Sequence, residues 1–224
     1  MPSLDDWSSL LLSLKLGCTV TFVLILISPP LSWWLAHSHS RLKPLISAVT
    51  ALPLVLPPTI LGFYFLLLTG PNGTVGHLTL ALGLGTLPFT FPGLVVASVF
   101  YSLPFVVQPL TNVFERVGHW PLEVGATLRA SPLKAFFTIV IPMTVPDLMA
   151  ASLLGFAHTL GEFGVVLMMG GNIPGETRVA SIQIYNHVEA LEYGQAHWLS
   201  GTLLTLSLIL LVLVQKYGLS RKRI

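Results

Sequence analysis

Long apolar runs separated by short polar stretches dominate the pattern along this chain. A helix needs roughly 20 apolar residues to cross about 30 Å of hydrocarbon at 1.5 Å per residue. Five runs are long enough: about 10–35, 46–69, 78–102, 138–168 and 198–217. The third and fourth are interrupted by proline and glycine. The pattern predicts an all-α, polytopic membrane protein with about five transmembrane helices.

One interval departs from that pattern. Glu123 to Pro142 reads Glu-Val-Gly-Ala-Thr-Leu-Arg-Ala-Ser-Pro-Leu-Lys-Ala-Phe-Phe-Thr-Ile-Val-Ile-Pro, polar and charged between two apolar runs. Pro121 suits a first helical turn, and Glu123 favours the positive end of that helix. The helix is expected to stop near Arg129-Ala130. Ser131-Pro132 then reads as the N-cap and first residue of a second helix. That helix carries Leu133, Phe136, Phe137, Ile139 and Ile141 toward the membrane before Pro142. A short helix, a sharp turn and a second helix are therefore predicted for the segment 119–137.

Composition supports the membrane reading. Of 224 residues, 53% are hydrophobic and 9% charged, against about 25% charged in soluble domains. The one cysteine, Cys18, lies in the first run and excludes an intrachain disulfide. That run follows Asp5-Asp6 rather than a basic segment and lacks a small-residue cleavage site, so it reads as a span and not a signal peptide.

Basic residues set an expected orientation. Arg41, Lys43, Arg116, Arg129, Lys134, Lys216, Arg221, Lys222 and Arg223 fall on one side of a five-span arrangement, leaving Lys15 and Arg178 elsewhere. Asp5, Asp6, Glu176, Glu189 and Glu192 collect opposite. The N-terminus is thus expected outside and the C-terminus inside, with Trp7, Trp33, Trp34 and Trp198 near span ends. The net charge of +2 fits membrane topology and calls for no nucleic-acid partner.

Candidate chemistry is sparse. Pro53, Pro57 and Pro58 in the second run, and Pro88, Pro92 and Pro104 in or beside the third, predict kinked helices. Such bends serve either helix packing or a conduction path that exposes backbone. Asp147 is expected near the interface. Glu162 lies deeper, in Leu160-Gly161-Glu162-Phe163-Gly164. An intramembrane carboxylate costs at least ~2.5 kcal/mol on insertion scales, so it needs a role. A proton relay, a cation site, or an acceptor for the amides of a broken helix all qualify. Gly161 and Gly164 favour the last, because they let backbone approach closely. His158 is the one ionisable candidate partner nearby. His37 and His39 supply two potential metal ligands without a third, so no metal is expected. The phosphate-cradling Gly-x-x-x-x-Gly-Lys-Ser/Thr is absent, which excludes ATP hydrolysis by that route.

The polar interval resembles Glu-Ala-Ala-x3-Gly-x9-Ile-x-Leu-Pro, the motif of permease subunits of ATP-binding-cassette importers. Glu123, Ile139, Ile141 and Pro142 stand in its register. Val124 and Gly125 replace its two alanines, and Arg129 replaces its glycine, where a left-handed residue is required. Leu160 to Gly164, followed by Gly171-Asn172-Ile173-Pro174-Gly175-Glu176-Thr177-Arg178, is similar to molybdate permeases, as is Leu52-Pro53-Leu54-Val55-Leu56-Pro57-Pro58. Sulfate permeases share a related Gly-Glu-Tyr-Gly.

The resemblance implies a type I importer permease fold, with residues 1–224 as one transmembrane permease domain in a bacterial inner membrane. It implies a homodimer, two ATPase subunits below it and a substrate-binding protein outside. ATP would bind the partner, and this chain would hold no cofactor. Glu123, Gly125, Leu128, Arg129, Ala130, Ser131, Pro132, Ile139 and Pro142 would form the coupling element. The outer loop 170–197, through Asn172, Pro174, Glu176 and Arg178, would meet the binding protein. Pro57, Pro58, Gly161, Glu162 and Gly164 would serve the pore or its support, with Glu162 turned away from the path. The cargo implied is molybdate, with tungstate or sulfate/thiosulfate as alternatives. An ion-coupled secondary transporter is the competing class and would need coupled intramembrane charges.

Overall fold

A computed structural model describes residues 3–219; the tail residues Arg221, Lys222 and Arg223 lie outside it. Ser3 opens the first helix, α1 (Leu4–His37), with a capping box: its hydroxyl accepts from the Asp6 amide while the Asp6 carboxylate accepts from its own. The helix continues through Pro29 and Pro30. It is followed by α2 (Lys43–Ala51), a 3-10 turn at 52–54, and α3 (Pro58–Thr69). The expected second span is therefore broken, with its two halves bent by 116°. Pro57 and Pro58 explain the break, since neither offers an amide to the preceding turn.

The expected third span is displaced. Residues 78–90 hold only the end of α4 (Thr74–Ala81) and a loop; the long helix is α5 (Phe91–Val117). Gly83 and Gly85 turn left-handed at φ 72° and 77°, and Phe89 follows at 62°, so the chain folds back instead of crossing. Pro104 and Pro109, by contrast, are absorbed inside α5.

After α5 come α6 (Trp120–Thr127), α7 (Pro132–Ala135), a wide helical turn at 136–140, α8 (Ile141–Gly161), α9 (Gly164–Gly170), α10 (Ala180–Glu189) and α11 (Tyr193–Leu219). The expected fourth span is split at Glu162-Phe163, between α8 and α9. Four described helical stretches are long and apolar enough to cross a membrane, five if the bent pair counts as one.

The core is the seam of α1, α5 and α8. Leu16, Val20 and Leu24 from α1 meet Leu94, Val106, Leu110 and Phe114 from α5, all essentially inaccessible. Small residues bring the helices close: a Cβ on Gly17 would sit 2.8 Å from Phe156, and one on Gly155 would sit 2.7 Å from Val106. Such small-residue contacts drive helix association where lipid removes the hydrophobic difference. Outward faces, especially of α11, carry exposed Leu204, Leu208, Ile209 and Val212.

Candidate functional site

Three places on this frame hold the residues singled out in the sequence. The first is the α6–α7 element. Pro121 sits in the first turn of α6, as does Glu123, which is exposed. The helix ends in a Schellman arrangement: the Ala130 amide donates to Gly125 O and the Arg129 amide to Ala126 O, both at 2.9 Å. Arg129 takes the left-handed conformation, φ 58°, for which the importer motif has glycine. The turn keeps its geometry and an arginine carries the strain.

Ser131 then caps α7, accepting from the Lys134 amide at 3.3 Å. Gly125 is buried against this second helix so closely that a Cβ would fall 2.7 Å from that of Ala135 and 3.5 Å from Ile139 Cδ1. Gly125 and Ile139 therefore belong to the hinge between α6 and the following helix. Pro142, unable to donate an amide, lies just past the wide turn, where Ile141 N–H reaches back five residues to Phe136 O. Around exposed Glu123 and Arg129, the element shows Trp120, Val124, Leu128, Leu133 and Phe137 to its surroundings. An apolar surface rimmed by charge is the signature of an interaction face. A feature not foreseen anchors it to α1: the His37 ring packs 4.0 Å from Trp33 and 4.3 Å from His119, the residue before α6.

The second place is the far end of α1, about 46 Å away for 31 residues of helix. Here Asn172 and Arg178, expected as docking groups, are bonded to each other at the surface. Arg178 Nε donates to Asn172 Oδ1 at 2.6 Å, and Asn172 exchanges amide bonds with Asn186 of α10. They shape the turn, leaving Pro174 and Glu176 exposed at its tip. Beside it, fully buried Asp6 receives the His187 Nε2 hydrogen at 2.7 Å and the Gln183 amide at 3.1 Å. His187 Nδ1 meets Glu192 at 2.7 Å. A carboxylate at each ring nitrogen favours the doubly protonated imidazolium, which donates from both. Burial opposes its charge, but the bonds to Asp6 and Glu192 outweigh it and raise the His187 pKa above the usual value. No local spacing points to this network, because Asp6 and His187 are 181 residues apart.

The third place is the break in the spans. Glu162 is 4% exposed. Its backbone carbonyl accepts from Ser181, yet neither carboxyl oxygen has a hydrogen-bond partner. The expected role as acceptor for broken-helix amides is thus not the one its carboxyl plays. His158 Nδ1 lies 3.0 Å from Ser102 Oγ, and its ring stacks on Phe105. Among the described residues, no three His, Cys, Asp or Glu side chains gather as metal ligands.

Residues 28–223 match the family described as binding-protein-dependent transport system inner membrane component. The chain is 60% identical to the molybdenum transport system permease protein ModB of Azotobacter vinelandii, over 92% of this chain and 91% of that one. It is 34% identical to the ModB of Escherichia coli K12 over 82% and 80%. The sulfate transport system permease protein CysT of Salmonella typhimurium is 33% identical over 81% and 65%. In fold it is similar to a chain of a bacterial alginate ABC transporter in complex with an alginate-bound periplasmic protein, with TM-score 0.72, 16% identity and coverage of 98% and 80%.

Proposed function

This chain belongs to the family of binding-protein-dependent transport system inner membrane components, and we infer that it is the permease subunit of an ATP-binding-cassette importer carrying molybdate across the bacterial inner membrane. The observation that carries this reading is the high identity to a molybdenum permease along almost the whole of both chains. Sulfate is the weaker reading, because the sulfate relative matches at about half that identity and over less of its own length.

Within this reading, residues 1–224 form one permease domain that pairs with a second copy of itself. The α6–α7 element faces the cytoplasm and docks on an ATPase subunit, one per copy, which binds and hydrolyses the ATP. Exposed Glu123 and Arg129, with Val124 and Leu128 between them, support that assignment. The α10 end faces outward and receives the substrate-binding protein at the turn bearing Pro174 and Glu176. Hinge packing of Gly125 on Ala135 suits a lever, since a push on α6 is passed directly to the helix entering α8.

Copurification with the ATPase subunit tests the docking role. Glu123→Arg puts a positive charge on an exposed position, at a local cost of roughly 0.3–1 kcal/mol from the helix dipole. It is expected to lower ATPase recovery and molybdate uptake together, by about tenfold or more, as charge reversal at a complementary interface does. Unchanged recovery and unchanged uptake would refute the assignment of α6.

A further inference from the structure

The two broken spans meet at one point. A Cβ on Gly164, which opens α9, would lie 2.8 Å from the Cβ of Pro58, which opens α3. Around that meeting point is a cavity of about 550 Å³ walled by Pro58, Thr59, Tyr101, His158, Gly161 and Glu162, among others. It joins four elements, α3, α5, α8 and α9, that the sequence presented only as separate kinked runs. Paired breaks of this kind place irregular backbone where it lines a cavity rather than lipid.

Two groups in the wall lack partners of their own. Glu162 is 4% exposed with both carboxyl oxygens unbonded. The buried Ser98 hydroxyl beside it acts electrostatically on the carboxyl but makes no hydrogen bond of ordinary length with it. The start of α3 is the other. Its cap residue, Pro57, provides no side-chain acceptor. Pro58 has no amide and the Ile60 and Leu61 amides turn back to Pro57 O, so the Thr59 amide is left at the cavity wall, at the positive end of the helix dipole. None of the described residues lining the cavity is a lysine or arginine.

An unpaired carboxyl by itself would suit a cation. The positive helix end beside it disfavours one, and no second acid lines the wall to complete a cation site. An oxyanion satisfies both groups together. It accepts from the Thr59 amide and from the Thr59 and Tyr101 hydroxyls of the wall, and it accepts one more O–H···O bond from Glu162 in its acid form.

We propose that this cavity is a resting site for the transported oxyanion, held by neutral donors among which Glu162 in its acid form is one. The proposal rests on the transport reading above and deepens it by naming the site and its polar chemistry. Absence of fixed cations is functional here. A passage must bind well enough to admit its cargo and weakly enough to release it.

The test uses the complete complex of permease, ATPase and binding protein in liposomes, with molybdate uptake and ATP hydrolysis measured side by side. Glu162→Gln keeps a neutral donor of the same shape and is expected to retain uptake within about threefold. Glu162→Leu removes the donor. Uptake is expected to fall about tenfold while binding-protein-stimulated ATP hydrolysis persists, so ATP spent per molybdate rises by the same factor. A merely structural role would lower both rates together and leave that ratio unchanged. Glutamine as inactive as leucine would overturn the proposal in favour of a carboxylate-dependent site. Leucine as active as the parent would overturn it outright. Should the leucine variant not assemble, Tyr101→Phe decides, because it deletes only one wall hydroxyl: a several-fold higher ATP cost per molybdate supports the site, and an unchanged cost rejects it. Failure of the unmodified complex to take up molybdate would instead strike the transport reading.

Discussion

Arg129 offers a clean test of how the α6–α7 turn is built. Its φ of 58° lies in the left-handed region, which costs a non-glycine residue roughly 1–2 kcal/mol. Glycine at this position escapes that strain but loses about 0.5–1 kcal/mol more conformational freedom on ordering. The net expectation for Arg129→Gly is a turn more stable by about 0.5–1 kcal/mol, or a two- to fivefold slower opening. Deleting the side chain also removes a charge, so Arg129→Ala is the proper reference: it lacks the guanidinium and keeps the strain. The assay is hydrogen exchange of the detergent-solubilised protein, read at the Arg129 and Ala130 amides. Both are bonded to α6 carbonyls at 2.9 Å, and the turn must open before either exchanges. Exchange in the glycine variant should be two- to fivefold slower than in the alanine variant. Equal or faster exchange would refute the strain argument and the turn geometry with it.

Two further expectations follow from neighbouring geometry. Gly125→Ala restores the alanine of the importer motif yet places a methyl 2.7 Å from that of Ala135; overpacking of this kind costs about 1–3 kcal/mol, visible as a lower melting temperature in detergent. The double variant Gly125→Ala/Ala135→Gly should recover most of the loss, and additive losses would show that the two residues do not touch. At the opposite end, His187 holds its proton more tightly folded than unfolded, through Asp6 of α1 and Glu192 ahead of α11, with Gln183 on its own helix and the Arg178–Asp5 pair nearby. Its stabilisation is complete below the unfolded value of roughly 6.5 and is lost as pH rises through the raised folded value. Thermal stability should therefore decline on the alkaline side, and His187→Gln should flatten that decline; a parent protein that gains stability with rising pH would contradict the network.

The α6–α7 element was legible in the sequence because its signals are local. Pro121, the Ser131-Pro132 pair and the spacing from Glu123 to Pro142 each act within a turn or two. The spans were legible in existence but not always in place. The run at 78–102 is apolar enough to cross, but Gly83, Gly85 and Phe89 adopt left-handed backbone that hydropathy does not register. Polar Gln108, Asn112 and Glu115 disguised the true continuation of α5 to Val117, where they border a polar cleft with Lys43, Ser47 and Thr50. Glu162 was recognised as exceptional from its depth, while its cavity was not, because that cavity is made where two breaks come together, at Pro58 and Gly164, 106 residues apart. The Asp6–His187–Glu192 network has the same cause. Contacts between distant segments leave no spacing to read.

Oriented reconstitution tests the central claim most directly. The permease is placed in liposomes with its ATPase and binding protein, and labelled molybdate uptake is measured with ATP supplied on one face at a time. Uptake is expected only when ATP is on the face bearing α6 and the binding protein is on the α10 face, and it should disappear when the ATPase subunit is left out. Uptake that persists without the ATPase, or that follows an ion gradient instead of ATP, would contradict the account.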